Sequence, residues 1–140
     1  MNNKKIGGYL IEHNVCDENT LIAALELQSS LSREGEYQPI GKIILEKNEL
    51  DPSVLESCLK QQRIDILSNN SMFKELPSKA LSKIAEVAEN YVIPQDTIVV
   101  KEHDPGDSYF IIISGKVQIS KGSEEGDETI LATIGSGNAF

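Results

Sequence analysis

Tryptophan is absent, and the 140 residues include only two cysteines and two histidines. Cys16 and Cys58 form no Cys-x-x-Cys pair and have no histidine at ligand spacing, which argues against a zinc or dithiol site. They are read as two small buried hydrophobes in a reducing compartment. His13 and His103 lie far apart with no acidic or nucleophilic frame, so no catalytic set is assigned to them. No Gly-x-x-x-x-Gly-Lys-Ser/Thr loop, paired carboxylates or metal cluster is in place, and no enzymatic activity or metal site is expected. No apolar run approaches the roughly 18 residues of a membrane span. The start, Met1-Asn2-Asn3-Lys4-Lys5, leads into an amphipathic segment and not into an apolar signal core, so a cytoplasmic protein without membrane insertion is expected. Cations are outnumbered, 13 Lys and Arg against 22 Asp and Glu, for a net charge of −9. Such a surface repels phosphate backbones, and direct nucleic-acid contact is not expected. The acidic stretch Glu124, Glu125, Asp127 and Glu128 lacks a calcium-loop pattern and reads as a solvated hairpin loop.

What is present begins with an internal repeat. Ile6, Gly7, Leu10, Asn14, Asp17, Leu21, Leu25 and Gln28 recur as Ile40, Gly41, Ile44, Asn48, Asp51, Leu55, Leu59 and Gln62, every pair 34 residues apart. Each copy reads as two helices. Ile6, Leu10 and Ile11 share one helical face, as do Ile40, Ile43 and Ile44. Asn14 and Asn48 stand where these short helices should end, because Asn tolerates the left-handed backbone of a helix C-terminus. Asp17 and Asp51 are good N-caps for the second helices, and Pro52 follows at a position where its missing N–H costs nothing. The stripes Leu21, Ala24, Leu25 and Leu55, Cys58, Leu59 are expected to face inward, so that two hairpins form a small bundle. A period of 34 also suits tetratricopeptide repeats, but their tryptophan and aromatic anchors are missing and only two copies exist.

The spacing of residues 5–62 resembles the N-terminal domain of type II secretion and type IV pilus assembly ATPases, which carries the pattern twice. In some members that domain binds cyclic di-GMP. The resemblance then implies a ligand set of Lys5, Ile6, Gly7, Leu10, Asn14, Leu21, Leu25, Gln28, Ile40, Gly41, Ile44, Asn48, Leu55, Leu59 and Gln62. Lys5 and Pro39 depart from the family's Arg, whose planar fork suits guanine and phosphate. The other reading of the same residues is a hairpin pair that serves structure or docks a partner.

Arg63 to Leu67 should continue the last helix, and Ser68-Asn69-Asn70-Ser71 reads as a polar linker. Ser78–Ala88 is an amphipathic helix with Leu81, Ile84, Ala85 and Ala88 on one face. Strands are then predicted at Tyr91–Ile93, Thr97–Val100, Tyr109–Ile113 (a buried central strand), around Val117 and Ile119, and at Thr129–Ile134. Asp104-Pro105-Gly106-Asp107 is predicted as a turn in which Gly106 takes a positive φ.

Residues 72–140 resemble the opening of a cyclic-nucleotide-binding domain of the catabolite-activator and protein-kinase-A regulatory type. The residues that carry this are Met72-Phe73 to Leu76, Glu102-x-Asp104-x-Gly106-Asp107-Ser108, Ser114-Gly115-Lys116-Val117 and Leu131-Ala132-Thr133-Ile134-Gly135-x-Gly137. The resemblance implies a jelly-roll barrel with turn glycines Gly106, Gly115, Gly135 and Gly137. It also implies a phosphate-binding cassette after Phe140, with a Gly-Glu pair, a short helix and a phosphate-neutralising Arg. The expectation is therefore an α+β chain, a piece of a longer one. It has a helical repeat at 1–67, a linker at 68–71 and a partial antiparallel barrel at 72–140. Its expected role is a bacterial regulatory protein that responds to cAMP or cGMP only when the barrel is intact, and that docks a protein partner or itself. The alternative is a cyclic di-GMP sensor linked to secretion or pilus machinery.

Overall fold

The structure is a computed structural model that describes residues 4–140. These residues are α+β, with five helices, a two-stranded antiparallel sheet and two compact units, Lys4–Asn90 and Tyr91–Phe140.

The first unit holds α1 (Ile6–Glu12), α2 (Glu18–Arg33), α3 (Ile40–Asn48), α4 (Pro52–Asn69) and α5 (Ser78–Val87). Both long repeat helices start at their aspartates. The Asp17 carboxylate accepts from the Thr20 amide at 2.7 Å, and Asp51 accepts from the Ser53 amide at 2.8 Å. These bonds satisfy first-turn amides that the helix itself leaves free.

The helices then pair across the two copies. α1 packs on α4, α2 packs on α3, and α1 meets α3. Residues 34 apart accordingly fill equivalent places in one core: Tyr9 with Ile43, Leu10 with Ile44, and Ala24 with Cys58, all buried. Burying a Leu or Ile of this kind contributes about 1.5–3 kcal/mol, so the interlocked core and not either hairpin alone holds the unit. Within each copy the short helix approaches the long one at a glycine. A Cβ at Gly41 would stand 2.6 Å from Leu55 Cδ1, and one at Gly7 would stand 3.0 Å from both Leu21 methyls.

Two details differ from the sequence reading. Leu25 is 45% exposed and lies off the core face, whereas Ala24 beside it is buried. Asn14 does take the left-handed conformation (φ 55°), but in the second copy Glu49 takes it (φ 51°). The Asn48 side chain donates to the Ile44 carbonyl at 2.9 Å, which keeps Asn48 in the helix and moves the break one residue on.

Residues 68–71 do not separate the compact units. Ser68 and Asn69 end α4 and back-bond to the Asp65 carbonyl at 2.8 and 2.9 Å. Asn70 is buried, and its carbonyl accepts from the Phe73 and Lys74 amides, which turns the chain back. α5 then packs on α4 with Leu81 and Ala85 buried, and its N-cap is Pro77. The division between units falls at Asn90/Tyr91 instead.

In the second unit β1 (Lys116–Gly122) pairs antiparallel with β2 (Glu128–Gly135). The register runs from Lys116↔Gly135 to Ile119↔Ala132, breaks between Ile119 and Ser120, and resumes at Ser120↔Ile130. Leu131 is therefore the extra residue of a bulge. The acidic loop closes through the Ser123 amide to the Asp127 carbonyl at 2.8 Å, with Gly126 at φ 87°. The runs at 91–93 and 97–100 form no strand. Tyr109–Ile113 is not a buried central strand either. It makes a short ladder with 138–140, and only Ile112 in it is buried. With few neighbouring strands, these β-branched runs lack the partners that would turn propensity into a sheet.

Candidate functional site

The residues singled out in the helical repeat do not gather in one cleft. Gly7, Leu10, Ile40, Gly41 and Ile44 are buried in the core or at its helix crossings. Ile6, Leu21 and Leu55 pack against that core from its edge. Lys5, Asn14 and Asn48 are exposed, and Leu59 is half-buried.

Gln28 and Gln62 have a use that the sequence alone did not disclose. Gln28 Nε2 donates to the Gln38 carbonyl at 2.9 Å, and Gln62 Nε2 donates to the Lys4 carbonyl at 3.4 Å. Residues 4 and 38 are themselves 34 apart. Each glutamine thus fastens its long helix to the segment that leads into the other copy's short helix. The repeat periodicity held the signal, since donor and acceptor both obey the same offset.

Other polar groups of this unit also escaped sequence reasoning. The Tyr9 hydroxyl donates to Asp65 Oδ2 at 2.6 Å, and Lys4 Nζ stands 4.3 Å from the Tyr9 ring centre. Burial, and then the Asp65 hydrogen bond, push the Tyr9 hydroxyl pKa well up. Arg63 is buried and spends its donors on the Ala85 carbonyl (2.8 Å), Asn90 Oδ1 (2.8 Å) and Glu56 Oε1 (2.6 Å). Arg63 therefore holds the C-terminal turn of α5 and the residue that ends the unit. Cys58 is fully buried and Cys16 partly so. Burial pushes both thiols up, and Asp17 adds to this at Cys16, so both are held protonated and poorly nucleophilic. Among the described residues no group of three or more His, Cys, Asp and Glu is placed to hold a metal ion.

In the second unit the turn residues fall into a defined frame. Phe110 and Phe140 exchange both backbone hydrogen bonds at 2.9 Å, and their rings stack at 5.1 Å. The Ile112 amide donates to Asn138 at 2.9 Å, and the Gly137 amide donates to Ile112 at 2.8 Å. Gly115 and Gly137 have φ of 97° and 85°, a backbone that favours glycine, and both stand at bends flanking the β1–β2 hairpin. Gly135 closes that hairpin opposite Lys116. Gly106 does not take a positive φ. The left-handed residue near it is His103 (φ 72°), in a turn closed by the Asp104 amide to the Lys101 carbonyl at 3.1 Å. Pro105 pushes the residue before it toward extended backbone, so the turn closes ahead of the proline. Tyr91, Val92, Ile98, Ile130 and Leu131 remain exposed in this unit.

The second unit is a turn-rich β unit, and comparison with known proteins shows what it resembles. Residues 92–140 match the family model of the cyclic nucleotide-binding domain. Over 76 residues the chain is 30% identical to a CRP-like cAMP-activated global transcriptional regulator of Mycobacterium tuberculosis, covering 54% of this chain and 34% of the relative. It is 28% identical over 99 residues to a cAMP-dependent protein kinase regulatory subunit of Yarrowia lipolytica, covering 71% and 24%. It is 27% identical over 81 residues to the human cGMP-dependent protein kinase 2, covering 57% and 11%. The chain spans about a third or less of the length of these relatives. A cyclic nucleotide-binding domain is thus found in its second half, beginning one residue after the division between the compact units. The secretion-ATPase likeness of residues 5–62 receives no support from these comparisons. Among the described residues no helix is long and apolar enough to cross a membrane.

Proposed function

We propose that this chain belongs to a regulatory protein that responds to a cyclic nucleotide monophosphate and acts by binding, not by catalysis. The observation that carries this reading is the match over residues 92–140, whose glycine turns and 110–112/138–140 ladder frame one hairpin. Regulators and regulatory subunits among the relatives agree with it. In this reading the helical unit carries the output and docks a protein partner. Its core is closed by its own side chains, and the glutamines suited to a ligand are spent between the repeats. No observation favours cyclic di-GMP binding over this.

By the resemblance, the helix and arginine that hold the cyclic phosphate follow the Leu131–Phe140 segment. Residues 1–140 alone should therefore give no saturable heat when titrated with cAMP or cGMP. A polypeptide that extends these residues through the family's Gly-Glu and Arg should bind one of them. Submillimolar binding by residues 1–140 would place the phosphate site among the residues described here. No binding by the extended chain would remove the nucleotide response.

A further inference from the structure

The two repeats are alike in backbone and unlike in cover. α5 lies along α4, held by Lys60 Nζ to Glu86 Oε1 at 2.8 Å and by Arg63 at the Ala85 carbonyl and Asn90. The same positions one repeat earlier, on α2, are Glu26 for Lys60 and Ser29 for Arg63. Among the described residues α2 has no counterpart of α5: the chain runs through Glu34–Pro39 directly into α3, which packs on α2 as α1 packs on α4. On this face Ile22 is 54% exposed and Leu25 45% exposed. At the C-terminal end of α2 an open cavity of about 340 Å³ is lined by Gln28, Ser29, Ser32, Arg33 and Tyr37. Ser29 is small where Arg63 is large, so an incoming helix meets room and not a guanidinium.

We propose that the outer face of α2 docks an amphipathic helix of a partner protein, seated as α5 is seated on α4. The charge pattern specifies the occupant. α5 presents Glu86 to Lys60, and the α2 face presents Glu26 at that place. A second copy's α5 would set Glu86 against Glu26, a like-charge pair that disfavours self-association here. The fitting helix carries small and aliphatic residues at the positions of Leu81 and Ala85, and Lys or Arg at the position of Glu86. This names the surface for the docking role proposed above and does not depend on the nucleotide response.

The test uses the full chain, methyl-labelled for NMR, and a synthetic peptide of residues 77–90 that carries Glu86→Lys. The expected result is saturable shifts at Ile22 and Leu25, lost with Leu25→Glu, an exposed position whose change leaves the fold intact. Glu26→Lys should weaken the altered peptide and strengthen the unaltered one, each by roughly fivefold. Shifts confined to α4 and α5, or indifferent to the charge exchange, would overturn the α2 assignment and leave the docking role standing. Concentration-dependent shifts of Ile22 and Leu25 without peptide would make the occupant a second copy and overturn the proposed partner. No shift with either peptide, on wild type or Glu26→Lys, would remove both the surface and the docking role.

Discussion

Replacing Gly41 with alanine sets two effects against each other, and the structure says which wins. Alanine is favoured over glycine in a helix by about 1 kcal/mol. At Gly41 the new methyl would lie 2.6 Å from Leu55 Cδ1 and 3.2 Å from Cδ2, with Leu55 packed against the core. Leu55 must change rotamer or α3 must retreat from α4, and overpacking of this kind costs about 1–3 kcal/mol. The net expectation for G41A is a loss of up to about 2 kcal/mol. Gly8 in α1 is the control. Its added methyl meets Cε and Cγ of Lys4 at 2.9 and 3.1 Å, a flexible chain that can swing away. G8A should therefore gain up to about 1 kcal/mol. Urea unfolding followed by far-UV circular dichroism reads both, with a lower midpoint for G41A, a higher one for G8A and an unchanged slope. Pairing G41A with Leu55→Ala should recover part of the loss, with a favourable coupling of about 1 kcal/mol. A G41A protein as stable as G8A, or a coupling of zero, would refute the argument that the glycine exists to admit Leu55.

Arg63→Met leaves the Ala85 carbonyl and Asn90 without their donor and should cost about 2–3 kcal/mol. Hydrogen exchange should show the loss concentrated in α5; an equal loss in α1–α3 would contradict the role given to Arg63. Glu49→Gly relieves a left-handed backbone that costs about 1–2 kcal/mol for a non-glycine residue. After the greater freedom of glycine in the unfolded chain, the net gain should be about 0.5–1 kcal/mol, read as a higher urea midpoint. Hydrogen bonds from Thr20 and Ser53 hold the Asp17 and Asp51 carboxyls below their ordinary value of 3.8. Protons therefore bind the unfolded chain more readily than the folded one. The stabilisation is complete above the ordinary carboxylate range and fades as pH falls through and below it. Asp17→Asn with Asp51→Asn should flatten that acid limb of stability against pH; an unaltered limb would show that the caps do not contribute.

The helix starts and the repeat period were legible without coordinates. The aspartate caps act over two or three residues, and the 34-residue offset is plain in the letters themselves. Gly115 and Gly137, which the resemblance implied as turn residues, have positive φ, whereas Gly106 does not and His103 does. What depended on distant partners was not legible. Leu25 looked like core, yet the helices pair across copies and turn it outward. Ser68–Ser71 looked like a linker, yet side chains back-bonding to α4 and the seating of α5 through Arg63 carry the unit on to Asn90. The run at 109–113 looked like a buried strand, but burial requires neighbouring strands, and its pairing is limited to 138–140. Local backbone preference is written in a few consecutive residues, whereas cover, exposure and the use of a glutamine or an arginine are decided by which surfaces meet when the chain closes on itself.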